Sequence, residues 1–105
     1  MLNQVTIVGR LVEKPTLIDL KLNQKKVCNI TLAVPRNFKN EIGEYKTDFI
    51  PCVLWENIAE NVVEYCEKGD LVGIHGRVQN EFNSIKIHAE KVTFLSTKKK
   101  DDENE

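Results

Sequence analysis

Apolar and polar residues alternate with period two along most of the chain, and the pattern shifts to a helical period once. Between Leu2 and Val12, Val5, Ile7 and Leu11 fall on one side of an extended chain, with Gly9 marking a bend or bulge. Pro15 ends this strand. From Val27 to Val34, Cys28, Ile30, Leu32 and Val34 take one face and Asn29, Thr31 and Ala33 the other, which predicts a half-buried strand. Pro35 closes it, and the Asn-, Lys- and Glu-rich stretch from Arg36 to Lys46 reads as a mobile hairpin connection.

A third strand follows over Asp48–Trp55, and both of its faces are apolar: Ile50, Cys52 and Leu54 on one, Phe49, Val53 and Trp55 on the other. One face covers the core, so the second is left to meet solvent or a partner, and Pro51 places the strand near an edge or irregularity. Asn57 to Lys68 carries Ile58, Val62 and Cys66, with Ala59 and Val63, at helical spacing, and Gly69 is the expected stop. Alternation returns over Leu71–Gln79, with Val72, Ile74 and Val78 inward and His75, Arg77 and Gln79 outward. After a polar break from Asn80 to Ser84, Ile85, Ile87 and Ala89 start a fifth strand whose phase slips before Val92 and Phe94, as a bulge near Glu90 would cause. Five strands with one helix between the third and fourth is the order of the OB-fold, an all-β, five-stranded Greek-key barrel.

Composition changes this picture in two ways. The chain has 105 residues, 41% apolar and 30% charged, which fits one small folded domain and excludes separate catalytic and binding domains. Bases number 15 and acids 16, so no bulk positive charge draws in a polyanion, and any such site is local. The last eight residues, KKKDDENE, hold three of the bases and four of the acids, leaving 12 of each in residues 1–97. With no apolar residue, segment 98–105 is expected to be a disordered, solvated tail after a folded domain over 1–97.

No signal peptide or membrane span is read at the start of the chain, which predicts a cytoplasmic protein. Cys28, Cys52 and Cys66 lack C-x-x-C spacing and read as reduced core thiols. The Asn29-Ile30-Thr31 glycosylation match then carries no weight.

The candidate chemistry is thin for an enzyme. His88-Ala89-Glu90 matches the first half of a zinc deaminase site, but no P-C-x-x-C follows it, and His75 and His88, both at outward strand positions, lack partners at ligand spacing and read as satisfied surface histidines, so no metal is predicted. Ser84 and Ser96 have no nucleophile elbow, and the glycines at 9, 43, 69, 73 and 76 form no phosphate loop, so no cofactor is expected. Four aromatics are left that local structure does not require: Phe38, Phe49, Trp55 and Phe82. Rings of this kind stack nucleic-acid bases at about 1–3 kcal/mol each, whatever the sequence. Arg10, Arg36, Lys39, Arg77 and Lys86 lie in or beside the same segments and can hold phosphates. The competing reading has Phe49 and Trp55 covering a second small core or a subunit contact.

The residues resemble those of the bacterial single-stranded DNA-binding proteins over about residues 1–96. The match runs through Asn3-Gln4-Val5, Val8-Gly9-Arg10-Leu11, Asn29 to Val34, Asp48-Phe49-Ile50, Val53, Trp55, Ala59 to Val62, Tyr65, Lys68-Gly69, Val72 and Gly76 to Gln79. The resemblance implies base stacking on Phe38, Phe49, Trp55 and Phe82, with Arg10, Arg36, Lys39, Arg77 and Lys86 as phosphate or base contacts. It also implies a homotetramer, or a dimer, in which residues 1–8 pair across subunits. Two departures stand out: the connection between the fourth and fifth strands is shorter than the family's protruding hairpin, and KKKDDENE lacks the linker and Pro-Phe hook that recruit replication and repair enzymes. A short auxiliary or mobile-element form of the family fits such a chain. It would be a nonenzymatic, nucleoid-associated protein acting in replication, recombination, repair or DNA uptake. The alternatives are a primosomal accessory protein of the same fold that docks a helicase, and an interaction module that presents the aromatic face to protein.

Overall fold

The computed structural model describes residues 1–22 and 24–96. The expected tail at 98–105 lies outside the described residues. Among the described residues, six strands and one helix follow the order β1 (Val5–Leu11), β2 (Ile18–Leu20), β3 (Lys25–Lys39), β4 (Tyr45–Trp55), α1 (Glu56–Tyr65), β5 (Leu71–Glu81) and β6 (Ser84–Ser96). Neighbours in the sheet run β1-β5-β6-β4-β3-β2, and a further pairing of β1 with β3 closes β1, β5, β6, β4 and β3 into a barrel. Closure removes the free edges that would otherwise template aggregation. With the helix between β4 and β5, this is the five-stranded OB-fold barrel that the pattern predicts.

The strand β2 is the element the periodicity misses. It is three residues long, hangs on the edge of β3 and buries little, so alternation has nothing to report there.

The core takes the inward residues of every barrel strand, with Leu11, Cys28, Leu32, Cys52, Leu54, Val72, Ile74 and Ile87 buried and Ala59, Val62 and Cys66 contributed by the helix and the residue after it. Gly9 lies where β1 changes partner, from β5 over residues 5–10 to β3 at Arg10 and Leu11. A Cβ there would meet the Ala33 carbonyl oxygen at 2.8 Å, so the crossing requires glycine. The helix ends at Tyr65, before Gly69; Cys66 is already extended and its N–H donates to Val62 O. Asp70, also buried, receives the N–H of Glu67 on its carboxylate at 2.8 Å and fixes the turn back into β5.

The bulge expected near Glu90 is present: His75 pairs with Lys91 but Gly76 with Ala89, leaving Glu90 unpaired. Val78 was placed in the core by its parity, yet it is exposed, because β5 and β6 run past the end of the barrel, where nothing covers the inner face. Among the described residues no helix is long and apolar enough to cross a membrane.

All three cysteines are free and buried. Burial pushes the Cys52 thiol up to about 12, and burial together with the nearby Asp70 charge pushes Cys66 to about 11. Since alkylation needs the thiolate, iodoacetamide at pH 8 is expected to leave the folded protein unmodified and to add three labels after unfolding, read by mass; labelling of the folded state would contradict this packing. Because these folded values lie above the ordinary 9.0, the thiols support folding fully below pH 9 and lose that contribution as pH climbs through the raised values.

Candidate functional site

Residues that oppose one another in a ladder point to the same face of the sheet. Arg10 lies opposite Ala33, and Ala33 opposite Phe49, so one transverse row crosses β1, β3 and β4. A second row runs Asn29, Val53, His88, Arg77 across β3, β4, β6 and β5. Trp55 lies one step further along β4, opposite Val27, and Lys86 opposes Gln79 two residues from the Arg77–His88 pair. Five of the nine predicted residues, Arg10, Phe49, Trp55, Arg77 and Lys86, therefore share one outward face of the barrel. Arg10 and Phe49 are about 10 Å apart across the small Ala33, and Phe49 and Trp55 about 20 Å apart along the strand.

This face is less uniformly open than its sequence implies. Phe49 is 65% exposed, but Val53 is buried at 3% and Trp55 is half-buried. The parity that puts all three on the face left to solvent or a partner holds as geometry. It fails as exposure because β6 flanks β4 at Val53 and the helix begins directly after Trp55. Glu56 makes that junction sharp, with φ at 54°.

The remaining candidates lie on two projections. The stretch 36–46 is not a long loop: β3 continues to Lys39, β4 starts at Tyr45, and only residues 40–44 turn. Asn40 closes the turn, its side-chain oxygen accepting from the N–H groups of Ile42 and Glu44. Cross-strand pairing therefore orders this polar segment, which has no apolar alternation of its own. Phe38 stands exposed on the resulting arm, and Lys39 sits over the Tyr45 ring at 5.7 Å from its centroid.

Arg36 donates from Nε and Nη2 to the two carboxylate oxygens of Asp48, both at 3.0 Å. The guanidinium hydrogen bond holds Asp48 below the usual carboxylate range, so the pair stays ionised at neutral pH. The Arg36 charge is thus partly committed within the protein. Between this arm and β1 lies a cleft of about 830 Å³, lined among others by Arg10, Arg36, Phe38 and Asp48.

Phe82 occupies the second projection. It and Asn83, with φ of 46° and 66°, form a two-residue hairpin turn between β5 and β6, and the ring is fully exposed at its tip. Lys86 follows on the outgoing strand.

Three residues escape the sequence reading. Tyr45 is an exposed ring on the arm, opposite Lys39 in the ladder, and its signal is hidden once the segment is read as loop. Asn3 bonds Val78 in both directions, Nδ2 donating to Val78 O and Val78 N donating to Oδ1, each at 2.9 Å, which extends the β1–β5 ladder by a side chain. His88, predicted outward and satisfied at the surface, is only 7% exposed. Trp55 Nε1 donates to its Nδ1 at 3.4 Å, and Glu81 Oε1 lies 2.8 Å from its Nε2, off the axis of a straight hydrogen bond. Alternation alone does not separate an outward strand position from one capped by a neighbouring indole. Among the described residues no cluster of three or more metal-ligating side chains occurs.

An OB-fold with cations and rings on one face leaves several functions open, and the sequence match decides among them. Residues 2–95 match the Single-strand binding protein family. The chain belongs to this family. Single-stranded DNA-binding protein B of Bacillus subtilis (strain 168) is 48% identical over 81 residues, covering 75% of this chain and 69% of that protein. Single-stranded DNA-binding protein 1 of Clostridium acetobutylicum is 36% identical over 107 residues, 93% of this chain and 97% of that one. The crystal structure of the wild-type single-stranded DNA binding protein from Thermus aquaticus is similar with a TM-score of 0.74 and 28% identity, over 90% of this chain and 41% of that chain. Measured against such members of the Single-strand binding protein family, this chain is close in length to the Clostridium relative and spans less than half of the Thermus chain.

Proposed function

We infer that the protein binds single-stranded DNA without enzymatic action and with little sequence preference, holding the strand by base stacking and phosphate contacts. The observation that carries this reading is the outward face on which Phe49 and Trp55 alternate with Arg10, Arg77 and Lys86, in a chain of the Single-strand binding protein family. Phe38 and Phe82 extend the stacking surface onto the two projections, and Lys39 and Arg36 supply further cations at the arm. Arg36 is the weakest of these, because a phosphate has to compete with Asp48 for it.

The protein acts in the cytoplasm at the nucleoid, on strands exposed in replication, recombination, repair or uptake. It assembles with copies of itself, as a homotetramer or dimer. The patch formed by Val8 and Leu95 on either side of Gly73, both side chains about half exposed, supports that assembly. No partner enzyme is assigned.

A gel-shift comparison tests the central claim: oligo-dT is expected to be retained at concentrations where duplex of equal length is not, and equal retention of both would defeat it. The electrostatic part is separable. Log affinity should fall linearly with log salt, at a slope near −0.7 for each phosphate neutralised. Arg77→Ala is expected to flatten that slope by about 0.7 while weakening all sequences alike. An unchanged slope would remove Arg77 from the phosphate contacts.

A further inference from the structure

We propose that His88 is a positioning residue for single-stranded DNA binding: its buried ring holds the Trp55 indole by the edge and ties it to Glu81, next to the Phe82 turn. The proposal rests on Trp55 being a stacking ring, as inferred above, and adds how that ring is kept in place.

The geometry has three parts. Trp55 Nε1–H donates to His88 Nδ1, so this nitrogen carries a lone pair and the proton of the neutral ring resides on Nε2. Nε2 in turn lies 2.8 Å from Glu81 Oε1, in contact but off the line of a straight hydrogen bond. Glu81 is the last residue of β5 and precedes Phe82 in the turn. The chain Trp55–His88–Glu81 therefore links a ring on the barrel face to the root of the projection that carries a second ring.

An indole N–H lies in the ring plane, so an acceptor at that edge restrains the ring without covering its π-face. Rotation about the last side-chain torsion of an aromatic is otherwise only loosely restricted. Fixing it before DNA arrives lowers the ordering cost of binding. His88 itself needs no contact with DNA. A buried histidine serving only as filler would need volume, not an acceptor aimed at Trp55.

The chain has a single tryptophan, so indole signals report position 55 alone. Binding of labelled oligo-dT by anisotropy and solvent exchange of the indole N–H by NMR are read on the full chain. His88→Leu removes the acceptor and is expected to raise Kd about three- to tenfold and to speed indole exchange, as loss of one hydrogen bond implies. His88→Asn, whose amide oxygen stands near the place of Nδ1, is expected to stay within about twofold of native. Native-like binding and exchange in His88→Leu would overturn the proposal, as would an equal loss in both variants. If His88→Leu does not fold, His88→Phe decides, since it keeps a ring of similar size without the acceptor: faster indole exchange supports the positioning role, and unchanged exchange refutes it. Trp55→Ala run alongside separates the two readings. If that variant binds like the native protein, the stacking role itself fails, whereas a loss there with no effect of His88→Leu removes only the positioning role.

Discussion

Replacing Phe49 and Trp55 together by alanine is expected to weaken oligo-dT binding by about 2–6 kcal/mol, or roughly 30-fold to 25,000-fold. Each ring contributes about 1–3 kcal/mol if a base stacks on it. The two lie about 20 Å apart along β4, beyond the range at which substitutions usually couple, so their effects should add. Phe49→Ala is the cleaner half, because the ring is mostly exposed and its loss opens no core cavity. Trp55 is half-buried and bonded to His88, so its variant needs a thermal melt beside the binding curve. Quenching of the Trp55 fluorescence by poly-dT gives an independent reading of the same contact. A double variant within threefold of native affinity would show that DNA follows another surface, with the arm and its cleft the next place to look.

The largest effect on stability is expected at Gly76. A Cβ at this position would overlap the His88 carbonyl oxygen and lie 2.9 Å from its carbon, both backbone atoms of the paired strand that cannot swing aside. Gly76→Ala therefore has to part β5 from β6 beside the Glu90 bulge, at a cost of about 3 kcal/mol or more. A shift of this size lowers the melting temperature of a small domain by well over 10 °C. Gly73, three residues earlier on the same strand, is the matched control. Its added Cβ meets nothing closer than 3.7 Å, so Gly73→Ala should melt within a few degrees of native. Equal melting of the two variants would contradict the described register. The displaced strand carries His88, so Gly76→Ala should also disturb the Trp55 edge contact.

The barrel was largely legible because its strands bury one face each. The clean alternation of Cys28 to Val34, the helical spacing of Ile58, Val62 and Cys66, and the phase slip at Glu90 each have a direct structural counterpart. What escaped was structure held by pairing instead of burial. Residues 36–39 and 45–47 form strands with no apolar stripe, since the arm has solvent on both sides, and a composition of Asn, Lys and Glu then reads as loop. The short β2 is invisible for the same reason. At the site, parity puts Phe49 and Trp55 together on the noncore side of β4 and Arg77 outward on β5, because side-chain direction is local; only the strand pairing joins them, with Lys86, into one face. Parity also says nothing about which outward residues a neighbour covers, as buried Val53 and His88 show. Nor does it say which cation is already engaged; the Arg36–Asp48 pair forms between residues twelve apart in sequence, across two strands.

Two joints of the barrel are narrow. Where β5 and β6 are zipped over nearly their full length, β1 meets β3 through only Arg10 with Ala33 and Leu11 with Leu32, and β4 meets β6 in parallel through only Cys52 with Ile87 and Val53 with His88. Joints with so few pairings are natural first points of breathing in the cylinder, the β4–β6 joint among them. The row from Asn29 through Val53 and His88 to Arg77 runs straight across that seam. A strand of DNA held along that side of the barrel would bridge both lips of the seam, and would act as a clasp on the protein as much as the protein does on the DNA.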